Sequence, residues 1–206
     1  MKESYISRDF RETVEMKYPS QCKELKDSYD ARLKELLAEN ANASKKKMFH
    51  LKRQILPGIA AFEILQQVMT KEEAFQTVHS YVENTARKEH KQLDSLLRIP
   101  GLYRLVPSVF LKSTRSVFGT EAGFASNEIQ TGNGIWRVDM VKCPYHDTCV
   151  KYGASELCRC FCDSDDICYT DLHPRLIWER SMTLGRGNDR CDFCMKITQK
   201  ESTHKV

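Results

Sequence analysis

Long hydrophobic runs are missing from this chain of 206 residues. A helix that crosses a membrane needs about 20 mostly apolar residues, and the longest apolar stretch, ILPGIAAFEIL, is interrupted by Pro57, Gly58 and Glu63. The N-terminal MKESYISRDF also lacks the apolar segment of a signal peptide. The first absence excludes a membrane-spanning helix, and together they predict a cytoplasmic protein with no membrane partner.

An excess of charge of one sign is also missing. The 32 Lys and Arg residues against 28 Asp and Glu residues leave a net charge of +4. The short run Lys45-Lys46-Lys47 is explained more simply by a solvated helix edge or loop than by contact with nucleic acid. We therefore expect no nucleic-acid partner. A hydrophobic content of 41% suits a single domain over residues 1–206.

Cysteine is nearly absent from the first 142 residues, where only Cys22 occurs, although the chain has nine cysteines. In a reducing compartment such residues are more often free thiols, metal ligands or catalytic groups than disulfides. The odd total also disfavours a fully paired framework. The chemistry of this protein is therefore expected in its last third.

A helical first part, over about residues 20–120, is predicted from the spacing of its apolar residues. Thr70 followed by Glu73 forms a capping-box pattern that starts a long helix, and Pro100-Gly101 ends it. Pro57 either opens a helix or kinks one. Two sets of side chains are expected to face inward: Leu25, Tyr29, Leu33, Leu36 and Leu37 from the first helix, and Ala74, Val78, Val82, Leu93, Leu96 and Leu97 from the long one. We also consider a homo-oligomer formed through this part.

The second part, over about residues 122–198, predicts strands. Gly132-Asn133-Gly134 is a turn signal followed by strict alternation in IWRVDM, and LIWERSMTL and RCDFCMKIT alternate again. The stretch between these pairs is predicted to be helical, in two pieces around Gly153. The order indicates an α+β fold, with a helical N-terminal half packed on a small antiparallel sheet.

The stretch ELCRCFCDSDDIC, residues 156–168, places four cysteines and three aspartates in thirteen positions. A zinc site is disfavoured because Cys191 and Cys194 fall on a predicted strand, which sends their side chains to opposite faces. Packing as small hydrophobic side chains explains several of the cysteines.

A thiol-and-carboxylate active site is the remaining interpretation. On a helix, Cys158 and Cys162 share a face with Asp165 or Asp166, while Cys160 points away. A nucleophilic thiolate would need a base or a positive charge, for which the candidates are His146, His173, Arg180 and Arg186. The carboxylate could instead act as the general base for water.

The same region resembles the L-2-amino-thiazoline-4-carboxylic acid hydrolase family over roughly residues 50–197. The resemblance rests on Cys143-Pro144, the Cys-x-x-Asp of Cys162 and Asp165, the Leu-His-Pro of residues 172–174, the Thr-Leu-x-x-Gly of residues 183–187 and the Cys-Asp-Phe of residues 191–193. The second half also resembles the vinyl-4-reductase-type small-molecule-binding domains, which have a strand, helix, strand, strand order.

The resemblance implies a hydrolase that opens a small ring containing a C=N bond. It implies Cys162 as nucleophile or orienting thiol and Asp165 as acid or base. The implied substrate-binding residues are Cys143, Cys191, Asp192, His173 and Thr183. No cofactor is expected; the alternative is a binding module that holds a small molecule, or zinc or iron through Cys143, Cys162 and Cys191.

Overall fold

A computed structural model describes residues 3–198. The helices of its first part are α1 (Tyr5–Lys17), α2 (Cys22–Glu39), α3 (Lys45–His50), α4 (Leu56–Leu65), α5 (Lys71–Leu97) and α6 (Val106–Ser116). The second part contains β1 (Ala125–Gly132), β2 (Ile135–Lys142), α7 (Pro144–Lys151), α8 (Cys158–Tyr169), β3 (Leu176–Glu179) and β4 (Cys191–Ile197). The predicted α+β fold is confirmed.

The four strands form one antiparallel sheet in the order β1-β2-β4-β3. Asn133 and Gly134 join β1 to β2 with φ angles of 51° and 78°, as a tight hairpin turn requires. In the register of β2 and β4, Cys191 lies opposite Met140 and Phe193 opposite Val138. Since opposed residues point to the same face, the predicted alternation of β4 is confirmed.

Helix α8 lies between the two parts of the molecule. Cys158, Cys160 and Phe161 belong to the largest buried core, which α1, α2, α4 and α5 also line. Tyr169, near the other end of α8, packs against the sheet core around Trp136. The apolar side chains of α8 thus pack into both cores. Its polar side chains lie where the two parts of the molecule meet.

Pro57 lies in a continuous helical segment and follows a π-helical turn, Leu51–Ile55, that joins α3 to α4. Proline has no N–H and its ring crowds the carbonyl four residues earlier, which is that of Arg53. The Arg53 carbonyl instead accepts a hydrogen bond from Ser4 Oγ at 2.7 Å. The wider π turn therefore accommodates the proline without ending the helix.

The long helix α5 mostly follows the sequence prediction. The Thr70–Glu73 capping box is present, and Ala74, Val78, Val82 and Leu97 are buried. Leu96 is 50% exposed, so its predicted inward position is wrong: the helical phase that buries Leu97 turns its neighbour outward.

The sequence predicts no helix before about residue 20, because the polar residues of α1 mask the apolar spacing of Ile6, Phe10 and Val14, which are fully buried. None of the helices within residues 3–198 is long and apolar enough to cross a membrane.

Candidate active site

Arg180 organises the polar face of α8. Its side chain is only 1% exposed, and it donates hydrogen bonds to Asp165 Oδ2 at 3.1 Å, to Asp166 Oδ2 at 2.5 Å and to the backbone carbonyl of Cys162 at 2.7 Å. A buried guanidinium without partners would be costly. Its three acceptors therefore bind the residue after β3 to three positions of α8.

The thiols of Cys158 and Cys162 meet on the same face, with a sulfur-to-sulfur distance of 3.9 Å. The predicted helical phase is confirmed, because residues four apart are neighbours on a helix. Cys158 is 1% exposed and Cys162 is half-buried. Cys162 is thus the thiol of the pair that a small molecule could reach.

Gly185 allows the backbone of the short turn Leu184–Arg186 to lie directly on both thiols. A Cβ atom at Gly185 would be 2.9 Å from the Cys162 sulfur and 3.0 Å from the Cys158 sulfur. Real Cβ atoms essentially never approach a heavy atom this closely. Only glycine fits here without a shift of the thiols or the turn.

The pKa of the Cys162 thiol is lowered from its ordinary value. The hydrogen bond from the Cys158 thiol is the largest cause, and the charge of Arg180 and the N–H of Gly185 act in the same direction. Burial and the Asp165 carboxyl oppose them. The environment therefore favours a thiolate at Cys162, as a nucleophilic cysteine requires.

The pKa of Asp165 is raised to about 7, chiefly by burial and also by the neighbouring Asp166 carboxyl, while Arg180 lowers it. The Asp165 side chain nevertheless keeps 37% of its surface accessible. The carboxyl is therefore enclosed by protein on most sides but still reaches solvent. A group with this pKa can give or take a proton at neutral pH.

Half-buried aromatic rings adjoin the carboxyl pair. Trp178 donates its indole N–H to Asp166 Oδ1 at 2.8 Å, and its ring centroid lies 5.1 Å from that of Tyr169 and 5.8 Å from that of Phe193. Arg180 lies over the Phe193 ring at 5.4 Å. Flat apolar rings thus pack beside the carboxyl pair and Arg180.

Cys143 and Cys191 lie near Cys162. The charges of Cys162 and Cys191 act on the pKa of Cys143, which burial raises above its ordinary range. Burial also raises the pKa of Cys191 to about 12, although its sulfur accepts the backbone N–H of Leu184 at 3.3 Å. Both thiols stay protonated at neutral pH, and Cys162 is the one of these three thiols whose pKa is lowered.

Asp192 and Thr183 shape the β3–β4 loop. Burial would raise the Asp192 pKa, but hydrogen bonds from the Ser181 hydroxyl and from the backbone N–H groups of Ser181 and Met182 lower it. Asp192 lies opposite Asp139, on the sheet face that Cys191 does not share. Thr183 is 3% exposed, and its Oγ1 has no hydrogen-bond partner within residues 3–198.

His173 lies on the turn between α8 and β3. Its ring stacks on Tyr103 at a centroid distance of 4.5 Å, and its Nδ1 accepts the backbone N–H of Arg175 at 3.0 Å. These contacts hold the turn against the segment between α5 and α6.

The family model described as L-2-amino-thiazoline-4-carboxylic acid hydrolase matches residues 48–195. The chain belongs to this family. No curated protein and no solved structure matches it. The family's name indicates hydrolase activity on a small substrate. The match includes every predicted site residue and leaves out α1 and α2.

From the sequence alone, Arg180 is one of several candidate positive charges for a thiolate. No motif in the sequence points to Gly185 or Trp178. One feature of the sequence does point to a buried role for Arg180. Along β3 and the residue after it, every second residue points to the same side: Leu176, Trp178 and Arg180. An arginine at an inward position requires buried hydrogen-bond acceptors.

The alternative interpretation is a zinc or iron site formed by Cys143, Cys162 and Cys191. Within residues 3–198, no three His, Cys, Asp or Glu side chains are grouped so that they could hold a metal ion. Cys143, Cys162 and Cys191 do not form such a group.

Proposed function

We propose that this protein is a hydrolase that opens a small ring, either one containing a C=N bond, such as a thiazoline or a cyclic amidine, or a cyclic amide. Membership of the hydrolase family supports the reaction class. The observation that carries the proposal is the convergence on Arg180: one buried cation holds the Asp165 carboxyl and the helix turn of Cys162 together.

In the first half of the reaction, the Cys162 thiolate adds to the C=N carbon and a C–S bond forms. Asp165 in its protonated form gives its proton to the ring nitrogen, so that the adduct carries no unpaired negative charge. The ring bond from this carbon to sulfur or nitrogen then breaks and its electron pair goes to the leaving atom. A nitrogen that stays on the carbon forms a new C=N bond and gives its proton to that leaving atom, so the ring is open.

In the second half, Asp165 as a carboxylate accepts a proton from water, whose oxygen adds to the carbon bound to Cys162. The C–S bond to Cys162 breaks and the thiolate is restored. One water molecule is consumed overall. In a simpler route, Asp165 activates water without attack by Cys162, and no bond to the Cys162 sulfur forms.

The substrate is proposed to lie flat against Trp178 and Tyr169. The Asp166 carboxylate already accepts hydrogen bonds from Trp178 and Arg180, which fixes it as an acceptor for a ring N–H. Aromatic faces and a fixed carboxylate suit a planar amidine. Cys143 and Cys191 would bound the site as neutral thiols, and Thr183 and His173 would support the loops around it.

The test is ring opening followed by mass spectrometry over a panel of thiazolines, cyclic amidines and cyclic amides. Cys162→Ala should lower kcat by about 10³-fold or more, since loss of a nucleophile removes the covalent route. Cys194→Ala is the matched control, because Cys194 lies on the other sheet face opposite Arg137 and should keep full activity.

Two outcomes would contradict the proposal. Full turnover by Cys162→Ala would exclude Cys162 as the nucleophile and leave the route in which Asp165 activates water. Binding of panel members without turnover by the wild-type protein would identify a small-molecule-binding module instead of an enzyme.

A further inference from the structure

The contact between Cys158 and Cys162 is not explained by a disulfide. All nine cysteines are free thiols. Residues four apart on a helix have Cβ atoms about 5–6 Å apart, whereas a disulfide spans about 3.5–4.5 Å between Cβ atoms. The sulfur distance of 3.9 Å therefore fits a hydrogen bond between thiols that the helix keeps from closing into a covalent bond.

The surroundings decide which thiol donates. Cys158 is 1% exposed and belongs to the main hydrophobic core, where a charged sulfur would be costly. Cys162 is half-buried, and Arg180 donates a hydrogen bond to its backbone carbonyl. Cys158 therefore keeps its proton, and Cys162 is the acceptor.

The turn Leu184–Arg186 restricts both sulfurs. A Cβ at Gly185 would fall within 3.0 Å of each of them, so the turn backbone packs directly on both thiols. The pair is thus enclosed between α8 and the turn, with the Cys162 sulfur directed by its neighbours.

We propose that Cys158 is a positioning residue, whose S–H donates to the Cys162 thiolate and holds that sulfur ready for attack. The proposal rests on the proposed function, in which Cys162 is the nucleophile. A hydrogen bond to a charged acceptor is stronger than one between neutral groups, so a weak S–H donor is sufficient here. The role requires a donor proton at position 158, not a sulfur as such.

The experiment follows alkylation of Cys162 by iodoacetamide as a function of pH, with peptide mass spectrometry to separate Cys162 from the other cysteines. Cys158→Ala should slow this alkylation by about tenfold near neutral pH and move its pH profile upward, because a hydrogen bond to a charged group is worth about this factor. Cys158→Ser should restore the rate to within about threefold of wild type, since a hydroxyl also donates.

Cys160→Ala is the matched control. Cys160 lies in the same helix and is also 1% exposed, but its side chain belongs to the face turned away from Cys162, so the alkylation profile of Cys162 should not change. An unchanged or faster alkylation in Cys158→Ala would overturn the proposal. If that variant does not fold, slow alkylation in a folded Cys158→Ser would overturn it equally.

This readout needs no substrate, which separates the two proposals. If Cys158→Ala slows alkylation while Cys162→Ala retains hydrolysis, the positioning of the thiolate stands and the proposed role of Cys162 in catalysis fails. If alkylation is unaffected while Cys162→Ala is inactive, the proposed function stands and the role of Cys158 fails.

Discussion

At the residue scale, the site depends on one buried arginine with three acceptors. Arg180 is separated from Asp165 by a helix end, a turn and a strand, yet its guanidinium contacts Asp165, Asp166 and the carbonyl of Cys162. Asp165 is nevertheless enclosed enough for its pKa to reach about 7. The balance between burial and a neighbouring cation thus decides its protonation at neutral pH.

This balance predicts the pH dependence of the reaction. If protonated Asp165 is the acid that assists ring opening, kcat should fall as the pH rises through about 7. Asp165→Asn should lower the maximal kcat by about 10²–10⁴-fold and remove that fall. Asp171→Asn is the control and should keep the wild-type profile. Asp171 is exposed, lies just after α8 and has a φ of 55°, which asparagine tolerates. A wild-type-like profile in Asp165→Asn would contradict the assignment.

The same variant gives a readout in unfolding. The pKa of Asp165 is raised from 3.8 to about 7 on folding, so its contribution to the free energy of unfolding is fully present below 3.8 and is lost as the pH rises through about 7. Wild type should therefore lose stability relative to Asp165→Asn as the pH rises from about 4 to about 7, as measured by urea unfolding. A constant difference would mean that Asp165 is ionised throughout.

At the element scale, α8 and the turn Leu184–Arg186 form the site as a pair. The helix supplies the two thiols and two carboxyls, and the turn lies on the thiols through Gly185. An α-helix alone would leave these sulfurs free to rotate. The close approach of the turn is what restricts them.

Gly185→Ala should therefore disturb the site directly. The added methyl would meet both sulfurs at about 3 Å, and overpacking of this kind costs about 1–3 kcal/mol. We expect a lower free energy of unfolding in urea and slower ring opening. Gly187→Asn is the control in the same turn, because Gly187 faces open space with a φ of 84° that asparagine tolerates. Equal effects of the two variants would show that the turn, and not the contact with the thiols, is sensitive.

At the scale of the whole molecule, the largest core crosses the boundary between the helical part and the sheet part. Ile6, Tyr29 and Ile59 share it with Leu157 and Phe161 of the second part. Gly58 approaches Phe161 so closely that a Cβ there would lie 3.0 Å from its ring. We propose on this basis that residues 3–198 behave as one folding unit.

That proposal predicts a single cooperative transition. Trp136 and Trp178 are both in the sheet, so their fluorescence reports on the second part, while far-ultraviolet circular dichroism is dominated by the helices. The two urea unfolding curves should coincide, as a two-state transition requires. Separate midpoints would show that the two parts unfold independently.

The sequence by itself determined the features that depend on local periods. The helical repeat put Cys158 and Cys162 on one face and Cys160 on another, and the capping box at Thr70 started α5, because both involve residues within one or two turns. Strand alternation likewise separated Cys191 from Cys194. The family motifs pointed to Cys162 and Asp165 without any knowledge of tertiary contacts.

Tertiary structure decided the features that depend on burial and on contacts between distant residues. The pKa of Asp165, the three acceptors of Arg180 and the fit of Gly185 against two sulfurs arise only when β3, β4 and the loop between them pack on α8. Leu96 shows the same limit, because the helical period does not say which of the neighbours Leu96 and Leu97 faces the core, and packing buries Leu97. Local periods specify faces, but what each face meets is determined by the packing of the whole chain.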